Sequence, residues 1–127
     1  MGTPAVIQAD RINGICTKHL MPSASGTQPA GPRAFSAPIT LGINPKVLIG
    51  GKAAAVVGAS GMNDNPAHAG IVDGPFAAPA GQIGRITSGS GTVKIGGQPA
   101  ATISSQATCC TGDPGKLAPG VPTVQIG

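Results

Sequence analysis

Val47-Leu48-Ile49-Gly50-Gly51-Lys52-Ala53-Ala54-Ala55-Val56-Val57 returns 46 residues later as Val93-Lys94-Ile95-Gly96-Gly97-Gln98-Pro99-Ala100-Ala101-Thr102-Ile103. In each copy a β-branched run meets Gly-Gly and then resumes. This is the signal of a two-residue hairpin, because the primed turns that match strand twist need positive φ, which glycine adopts without a Cβ clash. A third copy begins at Val121-Pro122-Thr123-Val124-Gln125-Ile126-Gly127, and the sequence ends where its turn would fall. Its return strand is expected at the amino terminus, where Pro4-Ala5-Val6-Ile7 is similar to Pro99-Ala100-Ala101-Thr102-Ile103. Pairing of the first segment with the last would close three hairpin-like units into a ring, bring the termini together and leave neither terminal strand as a free edge.

Composition points the same way. Gly (21) and Pro (13) fill more than a quarter of the 127 positions, which excludes a helical bundle. Ile and Val number 20 against 4 Leu, and Glu is absent, so the aliphatic content suits strands. With 40% hydrophobic and 9% charged residues the chain is not a solvated coil. An all-β, turn-dense single domain over 1–127 is expected. Two Phe and no Trp or Tyr make a thin core, so stability should depend on a staple or a partner.

The formal charge of +4 is spread over isolated Lys and Arg with no aromatic interleaving, which argues against nucleic acid as a partner. The amino terminus has no basic segment followed by an apolar run, so synthesis in the cytoplasm without a signal peptide is expected. Between the repeats, roughly 8–46, 58–92 and 104–120 read as long irregular connections rich in Pro, Gly, Ser and Asn. They carry every Cys and His.

Counted from the alanine that closes each small-residue segment, the Cys and His residues fall at comparable distances: Ala5 to Cys16 and His19, Ala55 to His68, Ala101 to Cys109 and Cys110. If the repeats are related by a pseudo-threefold axis, these loops emerge at one end and their donors converge. Cys16, His19, His68 and one of Cys109 or Cys110 would then supply the four thiolate and imidazole ligands that close a structural Zn²⁺ site; iron would accept the same set. Cys109 is taken as the fourth ligand, since an adjacent residue in an extended segment points the other way. A vicinal disulfide between Cys109 and Cys110 conflicts with ordinary bridge geometry.

With its Gly-Gly turn and Pro99-Ala100-Ala101-Thr102 segment, the repeat resembles the PAAR-repeat family, named for Pro-Ala-Ala-Arg. Ala53-Ala54-Ala55-Val56 matches only the central alanines, and neither copy has the Arg. The likeness runs from about 4 to 127, with 20–38 and 73–85 as loop elaborations. It implies a small conical β-structure with zinc near its apex and a broad triangular base. It also implies the family's role, capping the trimeric spike of contractile injection machines such as type VI secretion systems and phage tails. The partners implied are one spike trimer per tip, carried effector cargo and, transiently, a target membrane. Such a protein would leave the cytoplasm as part of a particle.

Three other readings compete. In an enzyme, Cys16 or Cys109 would act with His19 or His68, oriented by Asp10, Asp64, Asp73 or Asp113. Few acids, no Glu and few large apolar residues for a pocket argue against it, so no enzymatic activity is expected. An effector adaptor fits better than a fused toxin, for which no room is expected beyond the repeats. A free-standing zinc-binding β-module would need the same fold as a spike tip and is separated from it by binding to a trimer.

Overall fold

Gly50 and Gly51 take φ values of 60° and 84°, and Gly96 and Gly97 take 60° and 85°. Both repeats therefore make the same turn, with positive φ at both central residues. The computed structural model describes residues 2–110 and 112–126. In chain order the strands are β1 (Thr3–Ala5), β2 (Arg11–Cys16), β3 (Leu20–Ser23), β4 (Gly26–Pro29), β5 (Arg33–Pro38), β6 (Asn44–Ile49) and β7 (Lys52–Ala54). They continue with β8 (Ser60–Met62), β9 (Ile83–Ile86), β10 (Lys94–Ile95), β11 (Gln98–Pro99), β12 (Ala107–Cys109), β13 (Asp113–Ala118) and β14 (Val121–Ile126). The fold is all-β, and its only helical pieces among the described residues are three short 3-10 turns.

The expected hairpins are present: β6 pairs with β7 and β10 with β11, both antiparallel. β1 pairs with β14, Thr3 opposite Ile126, so the two ends of the chain lie together as expected. Ile49 and Ile95 of the two hairpins and Ile126 of β14 share one buried cluster with Ala5, Ala54, Val56 and Ala100.

The segments that follow these hairpins are tied to one another by backbone. Val6 N–H donates to Ala101 O at 3.1 Å, Ala101 N–H to Ala55 O at 3.0 Å, and Ala55 N–H to Val6 O at 3.0 Å, closing a cycle. The register extends outward, with Gln8 N–H donating to Ala53 O, Val57 N–H to Pro99 O and Ile103 N–H to Pro4 O at 2.8–3.1 Å. A tight turn then follows in each segment, closed by Asp10 N–H to Ile7 O, Ala59 N–H to Val56 O and Ser105 N–H to Thr102 O. Two of the three residues in the cycle are Ala, because backbones this close leave little space for side chains.

Beyond these turns the chain builds a six-stranded sheet in the order β5-β2-β13-β12-β9-β8, antiparallel throughout. Antiparallel alternation makes β2, β8 and β12 run in one direction, away from the cycle, and β5, β9 and β13 return. The sheet edges meet where Asp64 N–H donates to Ser36 O at 2.9 Å and Ser36 N–H to Asn63 Oδ1 at 3.1 Å, giving a nearly closed barrel.

Its interior is narrow, and glycines make room for Phe35, Ile12 and Cys109. A Cβ on Gly84 would stand 2.9 Å from the Phe35 ring, and one on Gly14 or Gly115 would meet Cys109 Sγ at 2.7 or 2.9 Å. The expectation that 8–46, 58–92 and 104–120 are irregular is therefore corrected, since these stretches supply the barrel strands. The loop elaboration expected over 20–38 likewise contains the β3–β4 hairpin and β5. Their inward positions are filled by residues such as Gly84, Ala37, Ala107, Gly115 and Asp113, so the apolar alternation that marks a strand is faint.

Candidate metal centre

β2 ends at Cys16, and three residues later the chain delivers His19. Asp113 holds the intervening turn, accepting Thr17 N–H at 3.0 Å and Thr17 Oγ1–H at 3.1 Å, with Lys18 Nζ at 4.0 Å. His68 ends the 3-10 turn Pro66–His68. That turn starts from Asn65, whose Oδ1 accepts Ala67 N–H at 2.8 Å, and Pro66 brings its pre-set φ. Cys110 follows β12 with a φ of 41°, and its N–H donates to Ile83 O at 3.0 Å.

One donor atom from each of Cys16, His19, His68 and Cys110 lies within 4.8 Å of the others. Cys16, His19 and His68 are buried and Cys110 is half-buried. His68 Nε2 lies 3.6 Å from Cys110 Sγ. A tetrahedral ion with bonds of about 2.3 Å to sulfur and about 2.1 Å to nitrogen separates those ligand types by about 3.6 Å. The His19 and His68 rings meet edge to face at 4.9 Å and 75°. Phe76 packs on His19 at 5.2 Å and Phe35 on His68 at 5.9 Å, so both phenylalanines of the chain wall the site from water.

His19 Nδ1 lies 2.9 Å from Asp73 Oδ2, and Leu20 N–H donates to Asp73 Oδ1 at 3.0 Å. Partial burial pushes the Asp73 carboxyl up, but the contacts with His19 and the Leu20 N–H outweigh it and hold the group below the usual carboxylate range. The ionised carboxylate only accepts, so His19 Nδ1–H is the donor, and in the neutral imidazole this leaves the lone pair on Nε2. His19 Nε2 is buried with no hydrogen-bond partner, and so is His68 Nδ1. A buried polar atom left unpaired costs about 1–3 kcal/mol, a cost that an ion at His19 Nε2 would remove.

The sulfurs differ in the same sense. A hydrogen bond from Cys110 brings the Cys16 thiol down to about 6 against the effect of burial, with further help from His68 and His19. Cys110 is pushed up, first by that shared hydrogen bond and then by burial. The shared hydrogen bond thus favours the thiolate on Cys16, and a cation bound by both sulfurs would displace the remaining thiol proton. Burial, with the Cys16 and Asp113 charges, pushes Cys109 up to about 12, so it stays a thiol.

Three of the four expected ligands, Cys16, His19 and His68, are brought together, and the fourth is corrected from Cys109 to Cys110. Cys109 belongs to the alternation of β12. It is buried with Ala107 in the barrel core, and its sulfur rests over Gly14 and Gly115. All three cysteines are free. Asp73 and Asp113 enter the sequence reading only as orienting groups of an enzyme. The signal available was scarcity, since with four acids and no Glu in the chain, two acids brace one C-x-x-H turn.

Two sulfur and two nitrogen donors around one point, shielded by aromatic rings, can hold a metal ion with protein atoms alone, which is the arrangement of a structural site. No family model matches the chain, and no curated protein or solved structure matches it significantly. Among the described residues no helix is long and apolar enough to cross a membrane.

Proposed function

We propose that this chain is a metal-stapled structural protein that caps the trimeric spike of a contractile injection apparatus, one copy per trimer, with Zn²⁺ as its ion. The observation that carries the reading is the closed backbone cycle of Val6, Ala55 and Ala101, from which β2, β8 and β12 lead to the four-donor group. Three units in cyclic register give a single chain an approximate threefold axis, and such a chain can present equivalent surfaces to a threefold partner. On this reading the hairpin end, with Ile49, Ile95 and Ile126, is the base. The Cys and His end is the apex, where the ion opposes fraying of the connections under load. Zinc fits a buried donor set of two thiolates and two imidazoles without an open position, and the role is structural rather than catalytic. The chain would be made in the cytoplasm and leave it on the particle, with or without effector cargo.

The test is to mix the full chain with the trimeric spike protein encoded in the same genome and measure mass by native spectrometry. A complex of one chain per trimer is expected. A chain that binds zinc yet never associates with the trimer would leave a free-standing metal-binding β-module instead.

A further inference from the structure

We infer that Asp73 is a positioning residue for the metal, holding His19 as its Nδ1–H tautomer so that the Nε2 lone pair faces the ion. The inference rests on the metal reading of Cys16, His19, His68 and Cys110 and deepens it. Asp73 is 54 residues from His19 in sequence, yet both its oxygens are committed at the C-x-x-H turn. Oδ1 takes the Leu20 N–H, which can only donate, and Oδ2 takes His19 Nδ1. The ring is wedged between His68 and Phe76, so its orientation is fixed and the remaining variable is which nitrogen carries the proton. The unpartnered, buried Nε2 is the atom that this arrangement leaves free to bind.

Replacing the carboxylate by its isostere inverts the arrangement. In Asp73→Asn a single carbonyl oxygen remains, and the Leu20 N–H requires it. The amide NH₂ then faces His19 Nδ1, which must accept, and the proton moves to Nε2, where it points at the ion. In Asp73→Ala neither tautomer is enforced. The asparagine variant is therefore the worse binder, although it keeps the size and shape of the native side chain. A role in packing alone gives the opposite order.

The experiment uses the full chain, wild type and both variants. Zn²⁺ affinity is measured by chelator competition, and the His19 tautomer is read from long-range ¹H–¹⁵N spectra of each chain as purified. Loss of an outer carboxylate partner typically costs about 10- to 100-fold in affinity; the alanine variant is expected near the lower figure and the asparagine variant near the upper. Wild-type His19 should carry its proton on Nδ1. A wild-type Nε2–H tautomer, or an asparagine variant that binds Zn²⁺ as tightly as the alanine variant, overturns the inference. Should neither variant fold, the wild-type tautomer decides alone. A wild-type chain that binds no Zn²⁺ sinks the metal reading and with it the positioning role, while the spectra still test the Asp73 contact separately.

Discussion

The barrel joins the same three stretches of chain at both of its ends, by different means. At one end Val6, Ala55 and Ala101 are linked through backbone N–H and C=O groups that satisfy each other in a cycle. At the other, Cys16 with His19, His68 and Cys110 meet through side chains, and two imidazole nitrogens are buried without partners. The backbone end needs side chains small enough for close approach and is indifferent to most of their chemistry. The side-chain end depends on the identity of four donors that could hold an ion between them.

The sharpest way to break this comparison is to remove the ion. Stripping the metal with a chelator, or substituting Cys110→Ser, is expected to lower the melting temperature by roughly 15–25 °C. That corresponds to about 4 kcal/mol of binding linkage at a metal concentration about a thousandfold above Kd. Cys109→Ser should retain the metal in the same assay. Calorimetry with and without chelator checks both, and equal metal retention by the two serine variants would contradict the assignment.

A smaller effect tests where Cys109 points. In Gly14→Ala the new Cβ meets Cys109 Sγ at 2.7 Å and Pro114 O at 2.9 Å, so a loss of about 1–3 kcal/mol in denaturant unfolding is expected. Adding Cys109→Ala should recover part of it, the remainder being the contact with the Pro114 carbonyl. At the hairpin end, Gly51→Ala meets no atom within 4 Å but sits at a φ of 84°. Backbone strain alone should cost about 1 kcal/mol there, with metal content unchanged.

The smallest effect lies on the barrel wall, where Arg11 grips Asp64 with two contacts of 2.8 Å. The hydrogen bond from Arg11 holds the Asp64 carboxyl below its ordinary value. A depressed carboxylate contributes stability that is present above the unfolded value near pH 4 and lost as pH falls through the folded one. Both side chains are largely exposed, so Asp64→Asn should cost less than about 1 kcal/mol at neutral pH and nothing in strong acid. Unfolding curves at several pH values check the sign.

The hairpins were legible because their signals are local: Gly50-Gly51 and Gly96-Gly97 mark the turns, and β-branched residues flank them. The pairing of β1 with β14 was legible because Pro4-Ala5-Val6 repeats a pattern seen inside the chain. The barrel strands were hidden because a wall with Gly14, Gly84 and Gly115 facing inward carries no apolar rhythm. Three of the four clustered donors could be read from their spacing. The choice between Cys109 and Cys110 could not, since it depends on which parity of β12 places Ala107 in the core. Asp73 was hidden for a third reason: its partner is brought to it only by the closed barrel and the loop that precedes β9.

Metal-edge X-ray absorption of the purified chain tests the central claim most directly. One ion per chain is predicted, with two sulfur neighbours at about 2.3 Å and two nitrogen neighbours at about 2.1 Å, and one sulfur lost in Cys110→Ser. A chain with no bound ion, or a spectrum that changes in Cys109→Ser and not in Cys110→Ser, would contradict it.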